Sequence, residues 1–346
     1  MMAPHMGRGT NSNNEIQLAL GGGAARGMAH IGAIRVLEEA GLSISATAGT
    51  SIGSVVGGLH AAGSLDEYEE VMLGLDRQGV LALLDPGLPT SGLFAGARLE
   101  ALLRSLAGHV HLDELEVEFL AVAVELVSGR EVWLRDGELV AAMRASSSIP
   151  GMFKPVRRDQ VWLVDGGLAA PVPVRAARAL GPHPVVAVNL IHVGLGEPHV
   201  EPVDPQAGPE DQEAGAQSGA ESLLNRLVSS DRLSPQVREF LGDLATSSGA
   251  AAETVTRGAH RFRRRVESAF TQGGPGLFDA LYTSAVLFQH HLAATTLELH
   301  MPDLLIEPRL DGVGLFDFHR AGELIAEGER AAREALETQA GKRLLE

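Results

Sequence analysis

The sequence predicts an α/β fold with a mostly parallel central sheet. Two strand–turn–helix patterns follow one another between Ile16 and Gly63. Each strand-like run ends in a cluster of small residues, and a late apolar run, Leu304 to Glu307, offers one more strand after a long helical stretch. Strands alternating with helices read as crossover units, and crossovers join parallel strands.

The elements follow in order. Ile16 to Leu20 is a short buried strand, and the glycine run Gly21-Gly22-Gly23-Ala24-Ala25-Arg26-Gly27 turns it into a helix from about Arg26 to Ala40. Met28, Ile31, Ile34, Val36 and Leu37 form its apolar face, and Gly41 stops it. Ser45 to Ala48 is a weak strand by propensity, and Ser51 opens a helix from Ile52 to Ala62 closed by Gly63. Helical segments span Leu65 to Arg77 and Leu99 to Leu106. Glu118 to Val124 and Glu131 to Arg135 read as paired strands around Ser128-Gly129. Glu138 to Ala145 is helical, Val161 to Val164 is a strand leading into Asp165, Val172 to Leu180 is helical, and Pro184 to Leu190 is a buried strand. From Glu221 to about Leu299 the pattern is helical, and Asp317 to Gln339 is a closing amphipathic helix. The expected organisation is a disordered N-terminus over 1–15, a catalytic core over 16–192 and an acidic disordered linker over 193–220. A helical insertion over 221–300 follows, and residues 301–346 complete the core.

Composition narrows the function. The 346 residues are 45% hydrophobic, enough for a sizeable core. No apolar stretch approaches the ~18 residues of a membrane span, and Met1 to Glu15 lacks a signal peptide's layout. The absence of cysteine excludes disulfides, thiolate metal sites and cysteine nucleophiles. A cytoplasmic protein is expected. The net charge of −16 argues against nucleic acid as a partner, since phosphate neutralisation needs a basic surface. One basic cluster stands out, Arg257, Arg261, Arg263, Arg264 and Arg265. It reads as a solvated helix face or as a patch for anionic headgroups.

The glycine run has several chemical readings. A P-loop requires Lys-Ser/Thr after its last glycine, and Gly27-Met28 does not supply it. A dinucleotide fingerprint fails in both frames, which place Arg26 or Ala24 where glycine is needed, and no carboxylate follows near Ala46 to Gly49. A tight turn without ligand and an oxyanion hole remain. Backbone N–H groups at a helix start converge on one spot, and the helix dipole favours negative charge there. Arg26, one turn into the helix, either braces the loop or meets an anionic headgroup.

Gly49-Thr50-Ser51-Ile52-Gly53 fits a nucleophile elbow, a sharp strand-to-helix turn that exposes a serine hydroxyl. A serine needs a base. The downstream histidines (His183, His192, His199, His260, His290, His291, His300 and His319) occupy no recognisable strand-end turn, and His30 on the first helix reads as packing or capping. Asp165 ends an apolar strand and precedes Gly166-Gly167, so it can point out of the sheet edge. Partial desolvation would raise its pKa towards that of a useful base.

Taken together, Leu18 to Gly32, Gly49 to Gly53, Ala145 to Pro155, Asp165-Gly166-Gly167 and Asp303 to Pro308 resemble the bacterial patatin-like phospholipases. The resemblance covers about residues 16–192 and resumes around 302–330. It implies a three-layer α/β/α fold and a Ser–Asp dyad that hydrolyses acyl esters of lipids without cofactor or metal. Carried over, Ser51 is the nucleophile, Asp165 the base, and Gly21, Gly22, Gly23 and Ala24 the oxyanion-hole donors, with Arg26, Gly27, Gly49, Gly53, Gly166 and Gly167 supporting the turns. One departure is visible, since Ala24 stands where the family usually has glycine; backbone donation survives that change. The expected partner is a lipid substrate, with transient contact to a membrane surface. Leu281, Val286, Leu287 and Phe288 are candidates for a lipid-docking face or for core packing. A non-catalytic lipid-binding protein on the same fold is the alternative, and a histidine triad a further one.

Overall fold

The computed structural model describes residues 14–85, 94–191, 228, 230–244 and 277–346, the first seven of the last range through their backbone alone. Eight strands form one sheet: β1 (Glu15–Leu20), β2 (Ser43–Thr50), β3 (Glu118–Glu125), β4 (Glu131–Leu134), β5 (Val156–Arg158), β6 (Val161–Asp165), β7 (Val185–Val188) and β8 (Leu304–Ile306). Their order is β5-β6-β3-β2-β1-β7-β8, with β4 against β3. β1, β2, β3, β7 and β8 run parallel. β4 and β6 run antiparallel to β3.

Burial shows why these runs are strands covered on both faces. In β1, Ile16, Leu18 and Leu20 belong to one core cluster and Ala19 to the other. In β3, Phe119, Ala121 and Ala123 face the first cluster, while Leu120 and Val122 face the second. Period-two alternation thus divides an unbroken apolar run between two cores, as in parallel sheets covered by helices. On one side lie α1 (Met28–Glu39), α2 (Ile52–Ala61) and the helix Ala321–Glu337; on the other lie the short helix Val174–Arg178 and the long helix Leu277–Leu299. The fold is therefore a three-layer α/β/α architecture around a mostly parallel sheet.

The C-terminal segment is built into this core. β8 pairs with β7, and the helix Ala321–Glu337 crosses α1 through two glycine notches. A Cβ on Gly32 would lie 2.0 Å from the Ile325 carbonyl oxygen, and one on Gly328 2.0 Å from that of Ala29. Only glycine allows two helices to approach so closely at these points.

Several boundaries differ from the sequence reading. Glu15 opens β1 opposite Ser43 and so lies inside the sheet. β2 extends over Ser43–Thr50, because pairing on both sides overrides weak propensity. The helix expected over Leu65 to Arg77 breaks into α3 (Leu65–Leu73) and α4 (Arg77–Leu84), with Asp76 accepting the Gly79 N–H as the second N-cap. The short β5 was not anticipated. Of the stretch 221–300, residues 235–244 and Leu277–Leu299 are helical, and Leu233, Val237 and Leu241 join the main core. The N-terminal segment 1–13, the acidic linker 193–220, the arginine cluster 257–265, His192, His199, His260 and the Leu281 side chain lie outside the described residues.

Candidate active site

Sheet register brings the two candidate catalytic turns together. Ala121 pairs with Gly49 on one edge of β3 and with Leu134 of β4 on the other. Ala123 pairs with Val132 of β4 and with Asp165 of β6. β2 and β6 therefore share one edge of β3 and run in opposite directions. Their C-terminal ends meet head-on, since Thr50 lies opposite Val122 and Asp165 opposite the next residue, Ala123. Ser51 follows Thr50 directly, so topology alone sets it beside Asp165.

Ser51 is the N-cap of α2, with φ 54° and ψ −123°. That backbone is strained for a residue with a Cβ, at a cost of order 1–3 kcal/mol. The surroundings enforce it. A Cβ on Gly49 would lie 2.4 Å from the Gly53 carbonyl oxygen, and one on Gly53 2.2 Å from that of Leu20. Both positions must be glycine for strand, turn and helix to pack this tightly. On the other flank, Gly27 leaves room for Ile52, whose Cγ1 would be 2.1 Å from a Cβ there.

A serine cluster clamps the elbow. The Ser51 N–H donates to Ser146 Oγ at 2.9 Å, and Ser146 donates in turn to the Val122 carbonyl at 2.6 Å. The Ser51 carbonyl accepts from the Ser54 hydroxyl at 2.6 Å and from that of Ser147 at 3.3 Å. The Asp165 N–H donates to the Ser148 carbonyl at 3.0 Å. The run Ser146-Ser147-Ser148 thus ties both turns to one segment. Sequence reading took it only as a helix end and a point of resemblance.

Asp165 is 2% exposed. Its Oδ1 accepts the Gly167 N–H at 2.7 Å, and its Oδ2 has no partner in hydrogen-bonding geometry. Burial lifts its pKa from 3.8 to about 6, against the opposing pull of the nearby Ser51 hydroxyl and the Gly167 N–H. The carboxylate is thus poised between its two protonation states near neutrality, with one oxygen free to take a proton. Gly166 allows the close crossing of β3 and the turn, since a Cβ there would lie 2.2 Å from the Val122 carbonyl oxygen.

The glycine run is more selective than expected. The Gly21 N–H donates to the Val188 carbonyl at 3.1 Å, and that of Gly22 to the Pro171 carbonyl at 2.9 Å. Those two expected oxyanion donors are engaged in the scaffold. Among the described residues, the N–H groups of Gly23 and Ala24 have no acceptor, and both residues line the cleft with Ser51. Ala24 holds φ 50°, a glycine-like conformation, which accounts for the usual glycine at this position. Arg26 braces the loop by donating to the Val313 carbonyl at 3.1 Å. His30, fully buried, lies with Nε2 2.8 Å from the Gly21 carbonyl oxygen; burial lowers its pKa to about 4, so it stays neutral and acts as a strut.

The cleft has a volume of about 250 Å³ and is lined by Ser51, Asp165, Gly23, Ala24 and apolar side chains such as Ile149 and Met152. Ala285, Val286 and Gln289 of the long helix Leu277–Leu299 close one wall. A second, almost wholly apolar cavity of about 80 Å³ also reaches Ser51 but not Asp165. Among the described residues no histidine lines either cavity. His290 contacts the Ile191 carbonyl oxygen at 3.1 Å, His319 contacts Arg77 and His183 pairs with Glu15.

Comparison with known proteins identifies the family. The family model described as patatin-like phospholipase matches residues 18–178. An uncharacterized NTE family protein of Mycobacterium bovis is 36% identical over 347 residues, covering 94% of this chain and 92% of that protein. The chain belongs to the patatin-like phospholipase family. A patatin-like counterpart in Mycobacterium tuberculosis, also described as an uncharacterized NTE family protein, shows the same identity and coverage. A patatin-like phospholipase domain-containing protein of Caenorhabditis elegans is 33% identical over 185 residues, 52% of this chain and 14% of that protein. Membership in this patatin-like family supports lipid hydrolysis in general. The matched span contains the glycine run, the elbow, the serine clamp and Asp165. Among the described residues, no helix is long and apolar enough to cross a membrane.

Proposed function

We propose that this protein is a serine acyl hydrolase of phospholipids, lysophospholipids or related lipid esters, working through Ser51 and Asp165. The carrying observation is the head-on meeting of β2 and β6 on one edge of β3, which sets a strained serine beside a buried aspartate with a free oxygen. Asp165 Oδ2 takes the hydroxyl proton as Ser51 Oγ attacks the ester carbonyl carbon. The resulting oxyanion accepts hydrogen bonds from the Gly23 and Ala24 N–H groups, each donor contributing on the order of 3 kcal/mol. Collapse breaks the bond to the alcohol oxygen, which leaves with the proton from Asp165. Water then attacks the acyl-enzyme, gives a proton to Asp165, and the acid departs as that proton returns to Ser51. No cofactor enters these steps.

The apolar second cavity takes the acyl chain, and the cleft beside Asp165 takes the leaving group. Leu287 and Phe288, 45% and 60% exposed on the helix that walls the cleft, make the transient contact with a membrane surface. The purified protein should hydrolyse a panel of phospholipids, lysophospholipids and p-nitrophenyl esters, and Ser51→Ala should abolish this. Leu287→Ser with Phe288→Ser should slow hydrolysis of vesicle lipid several-fold more than that of soluble esters. Lipid binding without turnover of any ester would refute the catalytic reading; equal slowing on both substrates would refute the membrane contact.

A further inference from the structure

One tyrosine lining the apolar cavity carries a polar group that nothing in the dyad chemistry uses. This residue, Tyr68 of α3, is 2% exposed. No hydrogen bond joins its hydroxyl to another described residue, and the hydroxyl is not among the atoms sealed from water, so it is left to solvent or to a ligand in the cavity. The cavity's other walls include Val55, Met72, Val80, Leu83 and Phe318, whose side chains offer no acceptor. Ser147, the other polar residue besides Ser51, donates instead to the Met143 carbonyl at 2.7 Å. Burial raises the Tyr68 pKa, so the group remains a neutral donor at every working pH.

This cavity borders the catalytic cleft. The two share Ala24, Ser51, Ile149, Met152 and Leu315, so an acyl chain bound to Ser51 lies at its edge. An unbranched alkyl chain would fill the apolar walls and leave the phenol without a partner. A chain carrying a hydroxyl or oxo group would satisfy it. A hydroxyl whose water is displaced by a chain that cannot replace it is left unsatisfied, which is a basis for discrimination.

We propose that Tyr68 makes the acyl pocket selective for oxygen-bearing chains, hydroxy- or oxo-acyl groups, over plain alkyl chains. This rests on the hydrolase reading, with the acyl chain in the apolar cavity. The test compares wild type and Tyr68→Phe on p-nitrophenyl decanoate and on its analogues with a hydroxyl at the third, sixth or last carbon. The leaving group is constant, so the ratio of kcat/KM for hydroxy over plain ester reads the acyl contact alone. The wild type should favour at least one hydroxy ester, and Tyr68→Phe should lower that ratio about tenfold, the contribution of one neutral hydrogen bond. A ratio unchanged by the substitution at every position would overturn the proposal and leave an ordered water as the phenol's partner. Should neither protein cleave any ester, the hydrolase reading fails and thermal shift with the free acids decides the Tyr68 question. A hydroxydecanoate should then stabilise wild type more than decanoate does, with the difference lost in Tyr68→Phe; equal shifts in both proteins would contradict it.

Discussion

At the scale of single residues, the site depends on two groups held in unfavourable states. Ser51 carries left-handed backbone strain, and Asp165 is a carboxyl buried at 2% exposure. The aspartate makes a prediction whose sign follows from linkage. Its folded pKa, about 6, lies above the unfolded value near 3.8, so its effect on stability is most favourable below the unfolded value and is lost as pH rises through 6. At pH 8 the native state therefore holds an unfavourable charge, worth on the order of 2–3 kcal/mol. Asp165→Asn should be more stable than wild type in denaturant melts at pH 8, and the gain should vanish near pH 4. A gain independent of pH would mean that the carboxyl is not desolvated as described. For the same reason, kcat/KM for a soluble ester should fall as pH drops below about 6.

At the scale of elements, three strand ends and one helix end build the site. The glycine turn after β1, the elbow after β2 and the Asp-Gly-Gly turn after β6 were legible in the sequence, because each is a local pattern of apolar run followed by small residues. Which backbone donors stay free was not legible. Whether Gly21 and Gly22 keep their N–H groups depends on Val188 and Pro171, both distant in sequence. The serine clamp was hidden likewise, since Ser146 matters only once β3 and β2 lie beside the helix Leu139–Ser146. Ser146→Ala would leave the buried Ser51 N–H and the Val122 carbonyl without this partner, a cost of about 1–3 kcal/mol. Its melting temperature should drop and kcat should fall more than KM changes, because the elbow loosens while the cavities keep their walls. Loss confined to KM would contradict a positioning role.

For the whole molecule, chain order and catalytic unit do not coincide. The family match ends at residue 178, yet β7, β8 and the helix Ala321–Glu337 complete the sheet and cover α1. The late strand, Leu304 to Glu307, signalled this return in the sequence. The glycine notches at the helix crossing did not, since Gly32 and Gly328 gain meaning only when the two helices meet. Gly328→Val forces the helices apart and should destabilise the protein by about 3 kcal/mol or more, in the range of severe overpacking. Thermal melts should show it, with ester hydrolysis lost at the same temperature as the fold. A C-terminal segment that melts separately, leaving hydrolysis intact, would show that it is an appendage.

If Asp165 activates Ser51, the rate of covalent labelling by a fluorophosphonate depends on it. Peptide mass analysis should place the label on Ser51 of the wild type. Labelling should fail in Ser51→Ala and slow about 10²–10⁴-fold in Asp165→Asn, the range for loss of a general base. Label on another residue, or an Asp165→Asn protein labelled as fast as wild type, would contradict the account.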